Sequence, residues 1–265
     1  MMDHDLNNLI ALAHAAGRVI MKIYEGDFEA REKEDGSALT DADEAAEALI
    51  LNGLADAYPD VAVLAEEAAS RGEIPDLGTR FFLVDPLDGT REFVNRTGEF
   101  TVNIALVEDG IPVAGVVYAP AMSRLFAGAR GRGAWVRDVA PDASLDGAPA
   151  PRPIETRARP DGALTAVASR SHRSAETETL LSDLGATDFR PAGSSLKFCL
   201  VATGEADVYP RLGRTMEWDT AAGQAVLEAA GGRVHEFGAD GEGVPLRYGK
   251  EERGYDNPHF IAWGA

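Results

Sequence analysis

Four short apolar segments, 101–107, 113–118, 125–129 and 134–136, follow one another with little between them but turn formers such as Gly110, Pro120 and Gly131. Parallel neighbours need a crossover of a dozen or more residues, and the intervals are too short for one. The segments must therefore pair as an antiparallel meander. Upstream, Leu9, Ile10, Ala13, Ala16, Gly17, Ile20, Met21 and Tyr24 recur at helical spacing, which predicts an amphipathic helix over 5–24. Ala45, Leu49, Ile50 and Leu54 predict a second over 41–57. Short strands are expected at 61–65 and 81–84. The segment 138–162, rich in Pro, Ala, Asp and Gly, is expected to be a surface connection with a strand near 154–157. Beyond it the pattern alternates: strands at 164–168, 206–209, 234–237 and 260–263, and helices at 175–184, 195–203 and 220–230. That is α/β material. The expected organisation is an α+β half over 1–150, with two helices and an antiparallel sheet, and an α/β half over 151–265.

Composition narrows the function. A chain of 265 residues with 45% hydrophobic and 26% charged residues can bury a large core. The net charge of −19 repels nucleic-acid backbones and anionic lipid, so no nucleic-acid partner is expected. It does not exclude a small phosphorylated substrate, because carboxylate-held divalent cations invert the local field. Most of the acidic excess reads as solvated surface, as over 25–34. No apolar run reaches the roughly 20 residues of a membrane span. The opening Met1-Met2-Asp3-His4-Asp5 does not read as a signal peptide, and a cytoplasmic location is expected. The lone Cys199 excludes an internal disulfide and a multi-cysteine metal site.

The chemistry concentrates after the apolar run Phe81-Phe82-Leu83-Val84, at Asp85-Pro86-Leu87-Asp88-Gly89-Thr90. Two carboxylates around a proline-containing turn can point at one spot and offer a hard cation oxygen ligands, with the Leu87 carbonyl between them. Gly89 lets a phosphate approach the backbone, and amides opening a following helical turn would hold it. The same six residues also describe an ordinary turn in which carboxylates cap amides.

Other acids carry similar ambiguity. Glu66-Glu67 ends a strand, either as two solvated acids or as a metal ligand beside Asp85. Asp219 is either the N-cap of the helix over 220–230 or a metal ligand, roles that can coexist. Thr40-Asp41-Ala42-Asp43 opens the second helix as a capping box, and Asp43 could still face a metal-bound water. The Asp-x-Asp spacing of an aspartyl-phosphate nucleophile is absent at 85–88, and no Walker-type loop occurs. His4, His14, His172, His235 and His259 show no ligand spacing. His14 is expected on a helix surface, His235 and His259 in strands, and Cys199 as a packed thiol.

Together these pieces resemble the magnesium-dependent, lithium-sensitive phosphatases of the inositol monophosphatase superfamily. The resemblance rests on Asp85–Thr90, on Trp218-Asp219-Thr220-Ala221-Ala222-Gly223 and on the upstream pair Glu66-Glu67. Within it, the stretches 85–93, 98–104, 115–120, 169–172 and 193–200 are similar to the CysQ-like branch, the bacterial 3'(2'),5'-bisphosphate nucleotidases. Only 138–162 shows no family pattern.

The resemblance implies a layered α/β/α/β/α sandwich, the sugar-phosphatase fold, with the site where the two halves join. It implies two or three Mg²⁺ held by Glu66, Asp85, Leu87 through its carbonyl, Asp88 and Asp219, with Asp85 bridging two ions. Glu66 and Thr90, with Asp43 nearby, would position the attacking water. Asp88, Gly89, Thr90 and Asp219 would meet the phosphate, and Gly193, Ser194, Ser195 and Lys197 the rest of the substrate. Lys197 would meet the phosphate that does not react; as a residue it equally fits a helix surface. Ser169-Arg170-Ser171-His172 would add a phosphate contact, or simply precede a helix capped by Ser174.

The implied activity converts adenosine 3',5'-bisphosphate to AMP and phosphate, and 3'-phosphoadenylyl sulfate to adenylyl sulfate, in sulfur assimilation. One alternative is an inositol or broader sugar-phosphate phosphatase. Another is a regulator that binds the nucleotide without turnover. Relatives include monomers and homodimers, and some associate peripherally with the inner membrane face, for which no basic amphipathic helix speaks here.

Overall fold

The computed structural model describes residues 2–32, 38–168, 175–238 and 241–265. In chain order it contains α1 (Met2–Tyr24), β1 (Ala30–Glu32), β2 (Ala38–Thr40), α2 (Asp41–Ala57), β3 (Ala62–Ala65), α3 (Glu66–Ser70), β4 (Arg80–Asp88) and α4 (Thr90–Val94). There follow β5 (Thr101–Glu108), β6 (Ile111–Ala119), β7 (Arg124–Ala129), β8 (Gly133–Asp138), β9 (Arg152–Ile154), β10 (Leu164–Ala168), α5 (Ala175–Asp183) and β11 (Ala186–Pro191). The last are α6 (Leu196–Ala202), β12 (Val208–Arg211), α7 (Ala221–Ala229), β13 (Arg233–Gly238), β14 (Gly241–Pro245) and β15 (Phe260–Trp263).

The meander forms as its spacing requires. A seven-stranded sheet runs β3-β4-β5-β6-β7-β8-β9, antiparallel throughout except for the parallel pair β3 and β4. Side chains alternate across it. Phe82, Val84, Ile104 and Leu106 face α1 and α2, whereas Phe81, Leu83, Ala105 and Val107 face α6 and α7. Both faces are therefore buried, which is why these strands read as unbroken apolar runs rather than as alternation.

The second sheet, in order β11-β10-β12-β15-β13-β14, packs Tyr209, Phe260 and Val234 onto the other side of α6 and α7. Its far face gathers Ala166, Val208 and Ile261 against Leu181 of α5. The layers are thus α1 and α2, sheet, α6 and α7, sheet, α5: the five-layered sandwich expected.

Several elements differ from the sequence expectation. β4 does not stop at Val84 but continues to Asp88. The connection after β8 contributes a strand at 152–154 instead of 154–157, and it joins the first sheet. β1, β11 and β14 are short and polar, with no alternation to announce them. His14 is buried, not on a surface: its ring lies 5.6 Å from that of Tyr118, and Nε2 is 3.1 Å from the Ala140 carbonyl. His259 precedes β15 instead of lying in it. Residues 169–172 and Ser174 fall outside the described residues.

Candidate active site

β3 and β4 run parallel with Ala65 opposite Val84, so Glu66, where β3 ends, and Asp85, still in β4, follow side by side. Asp85 and Asp88 then pose a problem of parity. In a regular strand, residues three apart point to opposite faces. Here Asp85 pairs with Asn103 and Asp88 with Thr101, so β4 carries one residue more than β5 across this interval. That is a β-bulge, and it turns both carboxylates to the same side. The segment is a bulged strand, not the free turn expected from Pro86. The Asp85 carboxylate does accept the Leu87 amide at 3.0 Å, the local cap that the turn reading foresaw.

Gly89 leaves the strand in the left-handed region, at φ 93°, where a side chain is strained. A Cβ there would also stand 3.3 Å from the Glu99 carbonyl. Thr90 opens α4, with Oγ1 3.2 Å from Asp43 Oδ1 and 3.3 Å from the Leu87 carbonyl. Asp43 is fixed in turn by the capping box of α2, its other oxygen accepting the Thr40 amide and hydroxyl at 2.7 Å each.

The other half of the chain enters through Ser195. Its amide donates to Asp88 Oδ2 at 2.6 Å, and its hydroxyl donates to the Asp219 carbonyl at 2.7 Å. Asn103 donates to both Asp88 Oδ2, at 3.2 Å, and Ser195 Oγ, at 3.0 Å. Thr101 donates to Asn103 Oδ1 at 2.9 Å and lies 3.1 Å from Ser194 Oγ. Sequence reasoning missed Asn103 and Thr101 as site residues. Their signal was present: two polar residues on one face of an otherwise apolar buried strand.

Asp219 accepts the Met216 amide at 2.8 Å, closing its own turn. It does not cap α7, whose N-cap is Thr220 without a side-chain bond. Behind this turn, the fully buried Glu217 accepts the amides of Gly249 and Lys250 and pairs with the Lys250 ammonium at 2.8 Å. The position of Asp219 is therefore set by a satisfied polar network.

The electrostatics follow from this convergence. Burial pushes Asp85 well above the usual carboxylate range, and the charges of Glu66, Asp88, Asp219 and Asp43 push it further. Burial likewise raises Asp219, with Asp88 and Glu66 adding to the effect. Asp88 is pushed up to about 6 by burial, against the pull of Lys197, Asn103 and the Ser195 amide. Lys197 is lowered by burial, with Asp88 pulling the other way.

The donors fit a hard divalent cation. They are all oxygens, they repel one another, and one oxygen each of Asp85, Asp88 and Asp219 is already held by a backbone amide. Among the described residues, no three His, Cys, Asp or Glu side chains form a closed cage as they stand. Carboxylates packed this closely must either share a compensating cation or take up protons, and at neutral pH their repulsion favours the cation.

A cleft of about 760 Å³ opens over these groups. Glu66, Asp88, Gly89, Thr90, Gly193, Ser194, Lys197 and Asp219 line it. Asp43, Asp85, Leu87 and Ser195 are buried around it and do not line it. Ser195, at 1% exposure, faces Asn103 and Asp219 and does not present its hydroxyl to the cleft. Gly193 has a packing reason as well, since a Cβ there would stand 2.7 Å from the Glu99 carbonyl. Lys197 is only 9% exposed, so it is no helix-surface lysine. Glu66 and Glu67 are not a solvated pair: Glu67 is buried, and its amide donates to Glu47 at 2.7 Å.

The model of the inositol monophosphatase family matches residues 1–258. The chain belongs to the inositol monophosphatase family. Its metal-dependent phosphatase chemistry accords with the oxygen-only donor set described above. Among curated members, the 3'(2'),5'-bisphosphate nucleotidase CysQ of Escherichia coli K12 is 45% identical over 258 residues, covering 96% of this chain and 98% of that protein. The crystal structure of CysQ from Bacteroides thetaiotaomicron superposes with a TM-score of 0.81 at 39% identity, over 98% and 97% of the two chains. An inositol monophosphatase from Anabaena sp. PCC 7120 superposes at 0.73 with 26% identity, over 99% and 91%.

Proposed function

We infer that the chain is a 3'(2'),5'-bisphosphate nucleotidase. It hydrolyses adenosine 3',5'-bisphosphate to AMP and phosphate, and the 3'-phosphate of phosphoadenylyl sulfate in the same way, serving sulfur assimilation. The observation that carries this reading is the gathering of Glu66, Asp88, Asp219 and Thr90 in one cleft, in a chain similar to nucleotidases almost from end to end.

In this reading Glu66, Asp85, Asp88, Asp219 and the Leu87 carbonyl hold the metal, with Mg²⁺ as the ion and two or three as the number. When bound, magnesium supplies Lewis-acid polarisation at phosphorus and neutralises charge on the leaving oxygen. The residues supply the orientation. The Thr90 hydroxyl donates a hydrogen bond to Asp43 at 3.2 Å, which leaves its lone pairs free to accept from a water. That water, also held by Glu66, is aimed at the 3'-phosphorus. It attacks as the P–O3' bond breaks; the water sheds its proton to solvent and the leaving ribose oxygen takes one from solvent. The 1–150 half supplies most of the acids, and the 151–265 half supplies Asp219 and the substrate contacts.

The substrate is a small nucleotide, the place of action is the cytoplasm, and the assembly is a monomer or homodimer. Among the described residues no helix is long and apolar enough to cross a membrane. The test is a panel of adenosine 3',5'-bisphosphate, inositol 1-phosphate and fructose 1,6-bisphosphate, with Mg²⁺ and with chelator, on wild type and Asp88→Asn. The nucleotide should be turned over fastest, and both chelator and the substitution should abolish it in a folded protein. Preference for inositol phosphate would reassign the enzyme to the sugar-phosphate branch. No metal-dependent turnover at all would leave a nucleotide-binding regulator.

A further inference from the structure

A buried acid needs a reason, because burial disfavours its charged form. Asp207 has one in Arg157, through two contacts at 2.6 and 2.7 Å, and Glu217 has one in Lys250. Glu47 on α2 differs. Its side chain is 3% exposed, yet Arg71 comes no nearer than 3.5 Å, and that guanidinium lies closer to the exposed Glu73, at 3.0 Å. What holds the Glu47 carboxylate closely is an amide, that of Glu67 at 2.7 Å. Burial raises the Glu47 carboxyl, and the Glu67 amide, the Arg71 charge and the Ala68 amide pull it back.

That amide opens α3, whose N-cap, Ala65, makes no side-chain bond to it. The first amides of a helix have no partner inside the helix. Glu47 supplies the acceptor from another helix, 20 residues back in the chain. The peptide unit joining Glu66 to Glu67 is planar, so a bond to the Glu67 amide also fixes the Cα of Glu66. Asp43 precedes Glu47 by about one helical turn, on the same buried face of α2. It meets the Thr90 hydroxyl at 3.2 Å. One face of one helix thus grips the starts of both α3 and α4, from which Glu66 and Thr90 enter the cleft.

We propose that Glu47 is a positioning residue for the attacking water: it sets Glu66 as Asp43 sets Thr90, and α2 keeps the two in register. Glu47 does not line the cleft, so it acts only through Glu66. The inference rests on the nucleotidase reading, in which Glu66 holds both metal and water, and deepens it. What the site needs from Glu47 is an acceptor at a fixed reach, since the partner is a neutral amide. Glutamine offers the same reach with one acceptor oxygen, whereas leucine fills the space and offers none. Loss of the outer partner of a metal ligand costs about 10–100-fold in metal affinity or activity.

The test compares Glu47→Leu, Glu47→Gln and Leu54→Ala with wild type. The readouts are kcat and KM for adenosine 3',5'-bisphosphate, calorimetric Mg²⁺ binding without substrate, and Tm. Leu54 is fully buried about two turns further along α2, so its truncation weakens the same helix without touching the bond. Glu47→Leu should lower kcat by about 10–100-fold and weaken Mg²⁺ binding, with KM near wild type. Glu47→Gln should restore most of both. Leu54→Ala should lose Tm and keep its kcat. If Glu47→Leu does not fold, Glu47→Asp, one methylene short of the amide, takes its place with the same expectation. Wild-type kcat or Mg²⁺ affinity in Glu47→Leu overturns the assignment. So does Glu47→Gln no better than Glu47→Leu, or an equal kcat loss in Leu54→Ala. The nucleotidase reading survives each of these results. Wild-type protein that neither binds Mg²⁺ nor hydrolyses the nucleotide overturns that reading, and the assignment with it.

Discussion

Asp219 reaches the other carboxylates because α7 lies directly on the seven-stranded sheet, and two glycines allow it to. At Gly115 on β6 a Cβ would stand 2.6 Å from the Ala222 carbonyl oxygen, 2.8 Å from Ala225 Cβ and 2.9 Å from Ala222 Cα. At Gly128 on β7 it would stand 2.9 Å from Ala229 Cβ and from Val226 Cα. Ordinary carbon contacts lie at about 3.5–4.0 Å, so Gly115→Ala forces helix and sheet apart by about 1 Å. Overpacking of this kind costs about 1–3 kcal/mol. In a chain of this size that lowers Tm by about 2–10 °C. The displaced end of α7 follows directly on Asp219, and a 1 Å misplacement costs about 100-fold in rate. Gly128→Ala presses on the far end of the helix. It should cost similar stability and lose less than about tenfold in kcat, because the shift there need not reach Asp219. The assay is urea unfolding together with kcat at saturating substrate and Mg²⁺, at a temperature where both variants are folded. Equal kcat in the two variants, or a wild-type rate in Gly115→Ala, would falsify the claim that α7 packing positions Asp219.

Two further outcomes follow from the site. Asp88 is pushed up to about 6, and Asp85 and Asp219 are raised too, so the metal-free folded protein holds protons that an unfolded chain, with aspartates near about 3.9, has released. The stability Asp88 lends is therefore present at low pH and lost as pH rises through about 6, and that lent by Asp85 and Asp219 is likewise lost as pH rises. In chelator, Tm should fall between pH 5 and pH 7.5, and Mg²⁺ should restore more of it at pH 7.5; a flat profile in chelator would contradict the linkage. Thr90→Val removes the hydroxyl that meets Asp43 and should lower kcat by about 10²–10⁴ at nearly unchanged Tm and KM, whereas a loss confined to KM would make Thr90 a binding group.

Much of the fold was legible because local period reports burial. α1 and α2 stand close to where spacing put them, and the four meander strands differ only at their ends. The misses have physical causes. β11 and β14 are exposed edge strands whose polar sequences carry no alternation. His14 looked like a surface residue because a polar ring satisfied by a distant carbonyl leaves no trace in its own helix. Pro86 and two aspartates resemble a turn, yet a bulge tolerates proline within a strand. At the site, motif residues were visible as oxygen donors, whereas Asn103 and Thr101 showed only as two polar residues in a strand that otherwise reads as core.

By itself the sequence determined the donors, their order and the elements that carry them, because residue type and local spacing suffice for that. It also determined the family, through motifs spread over nearly the whole chain. Depth and facing were decided only by tertiary structure. A bulge against β5 turned Asp85 and Asp88 the same way, and parallel pairing set Glu66 beside Asp85. The docking of α7 on Gly115 and Gly128 brought Asp219 to them. The same packing buried Lys197 beside Asp88 and left Arg211 on the cleft wall. Each outcome depends on a partner far away in the chain, and no local pattern encodes which way a side chain will face once that partner arrives.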